Sequence, residues 1–122
     1  MKAGVFGGTF DPIHFGHLGA AEATRDALGL TRIIFVPAGE PWLKADMPIS
    51  PAHDRLEMVR LALIGERRYQ ISTAEIDRPG PSYTVDTMDM LQRELGKEAK
   101  LYLLVGSDAL WDFPRWKEPS RL

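Results

Sequence analysis

The chain has 122 residues, 15 lysines and arginines against 17 aspartates and glutamates, a formal charge of −2 and no cysteine. That length suits a single domain spanning 1–122, and the near-neutral balance lacks the basic footprint of a general nucleic-acid binder. The missing cysteines exclude disulfide frameworks, thiolate zinc sites and a cysteine nucleophile. No apolar run approaches the ~20 residues that span a bilayer, and Met1 to Phe6 turns into glycines instead of a signal-peptide core, so a cytoplasmic protein is expected.

Lys2 to Phe6 is a short apolar run stopped by Gly7-Gly8 and reads as a buried strand. The stretch from about His14 to Leu28, with apolar Leu18, Ala21 and Leu28 and with Gly29 behind it, predicts a helix with a glycine C-cap. Ile33 to Val36, followed by Pro37, has the pattern of a strand covered on both faces. Residues 38–49 contain Pro41, Lys44 and Pro48 without periodicity and predict a surface loop. Ser50 as N-cap and Pro51 at the first helical position start a second helix, striped by Leu56, Val59 and Leu63. Tyr69 to Ile76 is expected to supply a strand, Arg78 to Pro81 a turn, and Ser82 the cap of a third helix striped by Val85, Met88, Leu91 and Leu95. Leu101 to Val105 is a further apolar run ending at Gly106. Strands alternating with helices predict a Rossmann-like, doubly wound parallel sheet in a three-layer α/β/α arrangement, with ligands beyond the carboxyl ends of the strands.

The densest group of unusual residues follows the first strand: Gly7-Gly8-Thr9-Phe10-Asp11-Pro12-Ile13-His14-Phe15-Gly16-His17. Its spacing fits neither G-x-G-x-x-G nor a phosphate loop ending G-K-[ST]. Two glycines let backbone amides approach a ligand, and the positive end of a helix dipole faces the same place, which are the parts of a phosphate cradle. His14 and His17, three apart, put both rings on one face, with Gly16 leaving room for a bound group. A metal site made by His14, His17 and Asp11 is the competing reading, although exposed amides and a helix dipole favour an anion over a cation.

His14-Phe15-Gly16-His17 resembles the H-x-G-H signature of the nucleotidyltransferase superfamily, and the fuller string from Gly7 to Leu18 looks like the bacterial nicotinate-mononucleotide adenylyltransferase family. Ser50-Pro51 to Met58, Arg78 to Thr84, Gly106 to Asp108 and Trp116 continue the likeness. The resemblance implies adenylyl transfer from ATP to nicotinate mononucleotide, releasing pyrophosphate, with Mg²⁺ sharing the phosphate charge. By the same likeness His14 and His17 are catalytic and hold ATP phosphates, while the amides near Gly8, Thr9 and Phe10 cradle them. It also sets Gly106 and Asp108 at the adenosine ribose, Lys44 near phosphate, Tyr83 and Thr84 at the nicotinate part and Trp116 on the pyridine ring. The chemistry agrees: a phosphate monoester has its second pKa near ~6, so the attacking oxygen needs no dedicated base. Trp42, Trp111 and His53 have simpler readings, the tryptophans as packing residues and the histidine as an exposed one.

Pro41-Trp42-Leu43 departs from the family's usual Pro-Pro-His before the lysine, and a counterpart of its I-S-S-T-x-x-R motif is missing; Ile71-Ser72-Thr73 comes before the third helix and has no suitable arginine. With no later strand to cover Leu101 to Val105, the domain is expected to be incomplete at its C-terminus, lacking its last strand and helix, and to turn over weakly by itself. Phosphopantetheine adenylyltransferase, a noncatalytic nucleotide-binding module and a class I aminoacyl-tRNA synthetase fragment are the alternatives. The acidic balance and the absence of a K-M-S-K-S-like stretch argue against the last.

Overall fold

Four runs of the chain pair side by side and all parallel: β1 (Lys2–Gly8), β2 (Arg32–Pro37), β3 (Tyr69–Ile71) and β4 (Lys100–Leu104), in the order β3-β2-β1-β4. The protein is seen in a computed structural model that describes residues 1–10, 13–39, 50–78, 83–104, 117 and 120. The helices among these residues are α1 (Phe15–Leu28), α2 (Ala52–Ala62), the single turn α3 (Ala74–Asp77) and α4 (Thr84–Leu95). None of these is long and apolar enough to cross a membrane.

Side chains alternate across a strand, so the apolar run of β2 serves both faces of the sheet. Ile33 and Phe35 join Phe6 on one face, against Ala21 of α1 and Val59 of α2. Ile34 and Val36 join Val5 on the other, against Leu91, Met88 and Leu95 of α4. The expected three layers therefore follow from which helix covers which parity of β2. The chain steps from β1 to β2 to β3 under α1 and α2, then returns by α4 to lay β4 beside β1. Strand order reverses at β1, and in open α/β sheets ligands bind beyond the carboxyl ends of the strands at such a reversal.

Several boundaries differ from the sequence expectation, each for a local reason. Helix α2 starts one residue late: Pro51 is the N-cap without a side-chain hydrogen bond, and the Ser50 carbonyl accepts from Arg55 Nε at 2.8 Å. The strand predicted over Tyr69–Ile76 stops at Ile71, because the Ser72 amide still reaches the Phe35 carbonyl while its hydroxyl turns back to accept from the Ala74 amide at 3.3 Å, starting α3. In α1, Leu28 is 41% exposed and Leu30, beyond the helix, takes the core position. The predicted glycine C-cap holds, with Gly29 in the left-handed region at φ 64°. Ser82 lies outside the described residues; Tyr83 is the N-cap of α4. Residues Leu101–Leu104 of β4 are half-buried, because among the described residues only β1 pairs with that strand.

Candidate functional site

The carboxyl end of β1 leads into Thr9 and Phe10, and the Phe10 backbone takes φ 51°, a left-handed conformation unfavourable to a bulky residue. The return is burial. Phe10 is 3% exposed, with its ring edge-on to Phe6 at 5.6 Å and to His17 at 5.1 Å. Phe10 therefore contributes a buried wall under the site as well as a backbone amide.

Helix α1 is capped by the two histidines themselves. His14 is the N-cap, and its Nδ1 accepts from the Gly16 amide at 3.0 Å; His17 Nδ1 accepts from the His14 amide at 3.0 Å. The rings stack with centroids 3.9 Å apart. A nitrogen that accepts carries no proton, so both imidazoles are neutral with the proton on Nε2. Two Nε2–H donors thus stand side by side at the positive end of α1, whose first turn holds no acidic residue. Burial first, and second the repulsion that a protonated His14 ring would exert, lower the His17 pKa below its ordinary 6.5, which favours this neutral state. Gly16 has a more specific reason than leaving space for a ligand: a Cβ there would lie 2.8 Å from Cε1 of the His14 ring. Only glycine lets that ring fold back onto its own helix. Phe15, between the histidines, is 89% exposed.

A second group joins the strand ends. Arg55 of α2 is fully buried, and its guanidinium donates to the carbonyls of Thr9 at 2.9 Å, Ala38 at 2.5 Å and Gly39 at 3.0 Å, in addition to Ser50. Gly39 lies so close to α3 that a Cβ would collide with the Glu75 backbone. The Glu75 carboxylate, raised in pKa by burial, accepts from Thr87 Oγ1 of α4 at 2.7 Å, and Arg78 approaches the same hydroxyl at 3.4 Å. At the start of α4, Tyr83 lies beneath Lys117 Nζ at 5.3 Å, and Lys117 pairs with Asp86 at 3.1 Å.

The structure therefore brings Gly8, Thr9, Phe10, His14 and His17 together at the end of β1, and puts Tyr83 and Thr84 at the amino end of α4. Lys44, Gly106, Asp108 and Trp116, and Asp11 of the competing metal reading, lie outside the described residues. His53 is exposed, as expected. Among the described residues no group of three or more His, Cys, Asp or Glu is placed to hold a metal ion. Sequence reasoning gave no role to Arg55, Glu75 or Thr87. Arg55 carried a usable signal, since 55, 59 and 63 share one helical stripe and its other two members are apolar.

A parallel four-stranded sheet with helices on both faces and paired donors where the strand order reverses defines a Rossmann-like α/β protein. Residues 5–122 match the cytidylyltransferase-like family, and the chain belongs to it. Among its relatives, a protein of Thermomicrobium roseum named "Probable nicotinate-nucleotide adenylyltransferase" is 49% identical over 121 residues, covering 99% of this chain and 56% of its own length. A Roseiflexus protein of the same name is 50% identical over 119 residues, covering 98% of this chain and 59% of its own. The solved structure of Plasmodium falciparum nicotinic acid mononucleotide adenylyltransferase complexed with NaAD shares the fold, with a TM-score of 0.82 at 20% identity over 98% of this chain and 58% of that one. The chain thus spans under two thirds of the length of these proteins.

Proposed function

We propose that this chain serves adenylyl transfer from ATP to nicotinate mononucleotide, forming nicotinate adenine dinucleotide and pyrophosphate. The observation that carries the reading is the stacked pair of histidines at the amino end of α1, whose Nδ1 atoms are taken by the capping so that each Nε2–H is left to donate. An oxygen of the mononucleotide phosphate attacks the α-phosphorus of ATP. The bond from that phosphorus to the oxygen bridging to the β-phosphate breaks, and pyrophosphate leaves with the electron pair. Negative charge grows on the phosphate oxygens, where His14 and His17 act as neutral donors already oriented for it, assisted by the amides of Gly8, Thr9 and Phe10. No general base is required.

The other residues take their roles from the family likeness: Gly106 and Asp108 toward the ribose of ATP, Lys44 toward phosphate, and Tyr83, Thr84 and Trp116 around the nicotinate part. Mg²⁺ is read as arriving on the triphosphate, where it would neutralise charge. No cage of described residues is set to hold it, and the histidine Nδ1 atoms are already engaged with amides. We read residues 1–122 as one nucleotidyltransferase unit acting in the cytoplasm.

The test is calorimetric titration of the chain with ATP and with nicotinate mononucleotide, followed by product analysis in a protein of the relatives' full length that carries this chain. Binding of both ligands and dinucleotide formation lost in His17→Ala are expected. A protein that binds neither ligand, or forms product only with phosphopantetheine, would overturn the reading.

A further inference from the structure

The strained Phe10 backbone needs something to hold it, because a left-handed bulky residue persists only where its surroundings over-determine it. The peptide between Thr9 and Phe10 is the relevant one: its orientation is set jointly by ψ of Thr9 and φ of Phe10. Its carbonyl is the Thr9 oxygen that accepts from Arg55 at 2.9 Å. The donor is itself immobile, since Arg55 is wholly buried and also bound to the Ser50, Ala38 and Gly39 carbonyls. The Ala38 amide in turn donates to the Gly8 carbonyl at 2.8 Å, so the ends of β1 and β2 form one rim around the guanidinium. Beyond Phe10 the chain of contact continues to His17, whose ring meets the Phe10 ring at 84° and 5.1 Å.

We infer that Arg55 is a positioning residue for the phosphate side of the site: by fixing the Thr9 carbonyl it keeps Phe10 left-handed and so orients the His17 imidazole through the Phe10 ring. This rests on the proposed nucleotide-binding role of His17. The planar fork is necessary, because an ammonium at the same place keeps the charge and loses the geometry that reaches several carbonyls at once.

The test uses the whole chain and the substitutions Arg55→Lys and Arg55→Met, with Val59→Ala as the comparison for a residue equally buried on the same helix stripe. NMR of the ligand-free imidazoles, ATP affinity by calorimetry and thermal unfolding are read for each. All three substitutions are expected to lower Tm. Only the Arg55 variants should shift the His17 ring signals, move its titration back toward the ordinary 6.5, and weaken ATP binding by roughly tenfold, as expected for a small misplacement of a binding group. His17 signals and ATP affinity that change no more in Arg55→Lys than in Val59→Ala would overturn the inference. If the Arg55 variants do not fold, the unsubstituted chain decides: the Arg55 Nε signal should move on ATP addition with the same midpoint as that of His17, and an unmoved signal overturns it. A chain that binds no ATP removes the functional reading, while the ligand-free His17 signals still report whether Arg55 sets that ring.

Discussion

The rings of His14 and His17 stack 3.9 Å apart with 29° between their planes, and each turns its Nδ1 inward to a backbone amide of the same helix start. The capping of α1 and the presentation of two Nε2–H donors are therefore one arrangement. Protonating either Nδ1 removes the acceptor of that cap hydrogen bond, and with it what holds that ring in place.

The first prediction concerns pH. Folding lowers the His17 pKa below 6.5, so the folded state favours the neutral ring. A group with a depressed folded pKa contributes stability above its unfolded value, and that contribution is lost as pH falls through the folded one. The His17 contribution, read as the difference in Tm between the chain and His17→Gln, should be level above 6.5 and fall in more acidic solution. Imidazole NMR on the ligand-free chain should show His17 titrating below 6.5; a midpoint above that value contradicts the capping assignment.

Gly16→Ala separates stability from binding. The new methyl displaces the His14 ring, whose Cε1 would be 2.8 Å away, and so removes a cap worth about 1 kcal/mol. Alanine in place of glycine returns roughly 0.5–1 kcal/mol of helix propensity. The two effects nearly cancel, so urea unfolding should give a change within about 0.5 kcal/mol. ATP affinity, measured on the same sample, should fall about tenfold or more, as expected for one lost hydrogen bond to a charged group. A full loss of stability with unchanged affinity would reverse the assignment.

Much of this was legible in the sequence, and the reason differs by element. The apolar runs at Lys2–Phe6 and Ile33–Val36 announced strands because a strand covered on both faces has no polar parity to interrupt it. Glycines placed the end of α1 at Gly29 and of α4 at Gly96. The histidine pair was visible from its spacing, but its capping role was not, since His14 occupies a position normally held by Ser, Thr, Asp or Asn. The place of Arg55 on an apolar stripe marked it as buried, but what it binds was hidden for a different reason. Its acceptors are backbone carbonyls at positions 9, 38, 39 and 50, and a carbonyl leaves no trace in residue identity. The short β3 was overread because Ser72 and Thr73 suit a strand until the Ser72 hydroxyl captures the next helix's amide.

Phe10→Leu tests whether the buried ring shapes the site. Leucine is smaller than phenylalanine and makes no aromatic contact, so the edge-on contacts to Phe6 and to His17, worth about 0.5–1.5 kcal/mol each, are both lost. Denaturant unfolding should register a loss of roughly 1–3 kcal/mol by these two contributions together. His17, less covered, should titrate closer to 6.5, because burial is the leading cause of its lowered pKa. A stability loss with the His17 titration unmoved would place the desolvation elsewhere.

Glu75 gives a prediction of opposite sign. Its carboxyl is held between α3 and α4, accepting from Thr87, which is 2% exposed. Burial raises its pKa above 4.5, and neither the Thr87 hydrogen bond nor the Arg78 charge reverses this. A raised folded pKa means that folding favours the protonated form: the stability it contributes is complete below 4.5 and is lost as pH rises through the folded value. At pH 7 the buried carboxylate is therefore a net cost. Glutamine has the same shape, stays neutral at every pH, and offers its amide oxygen to the Thr87 hydroxyl. Glu75→Gln should consequently raise Tm at pH 7, with the gain shrinking as the solution is acidified and vanishing below 4.5, where both side chains are neutral. A gain independent of pH would assign the effect to packing, and a loss at pH 7 would mean that the attraction of Arg78 for the carboxylate outweighs its burial.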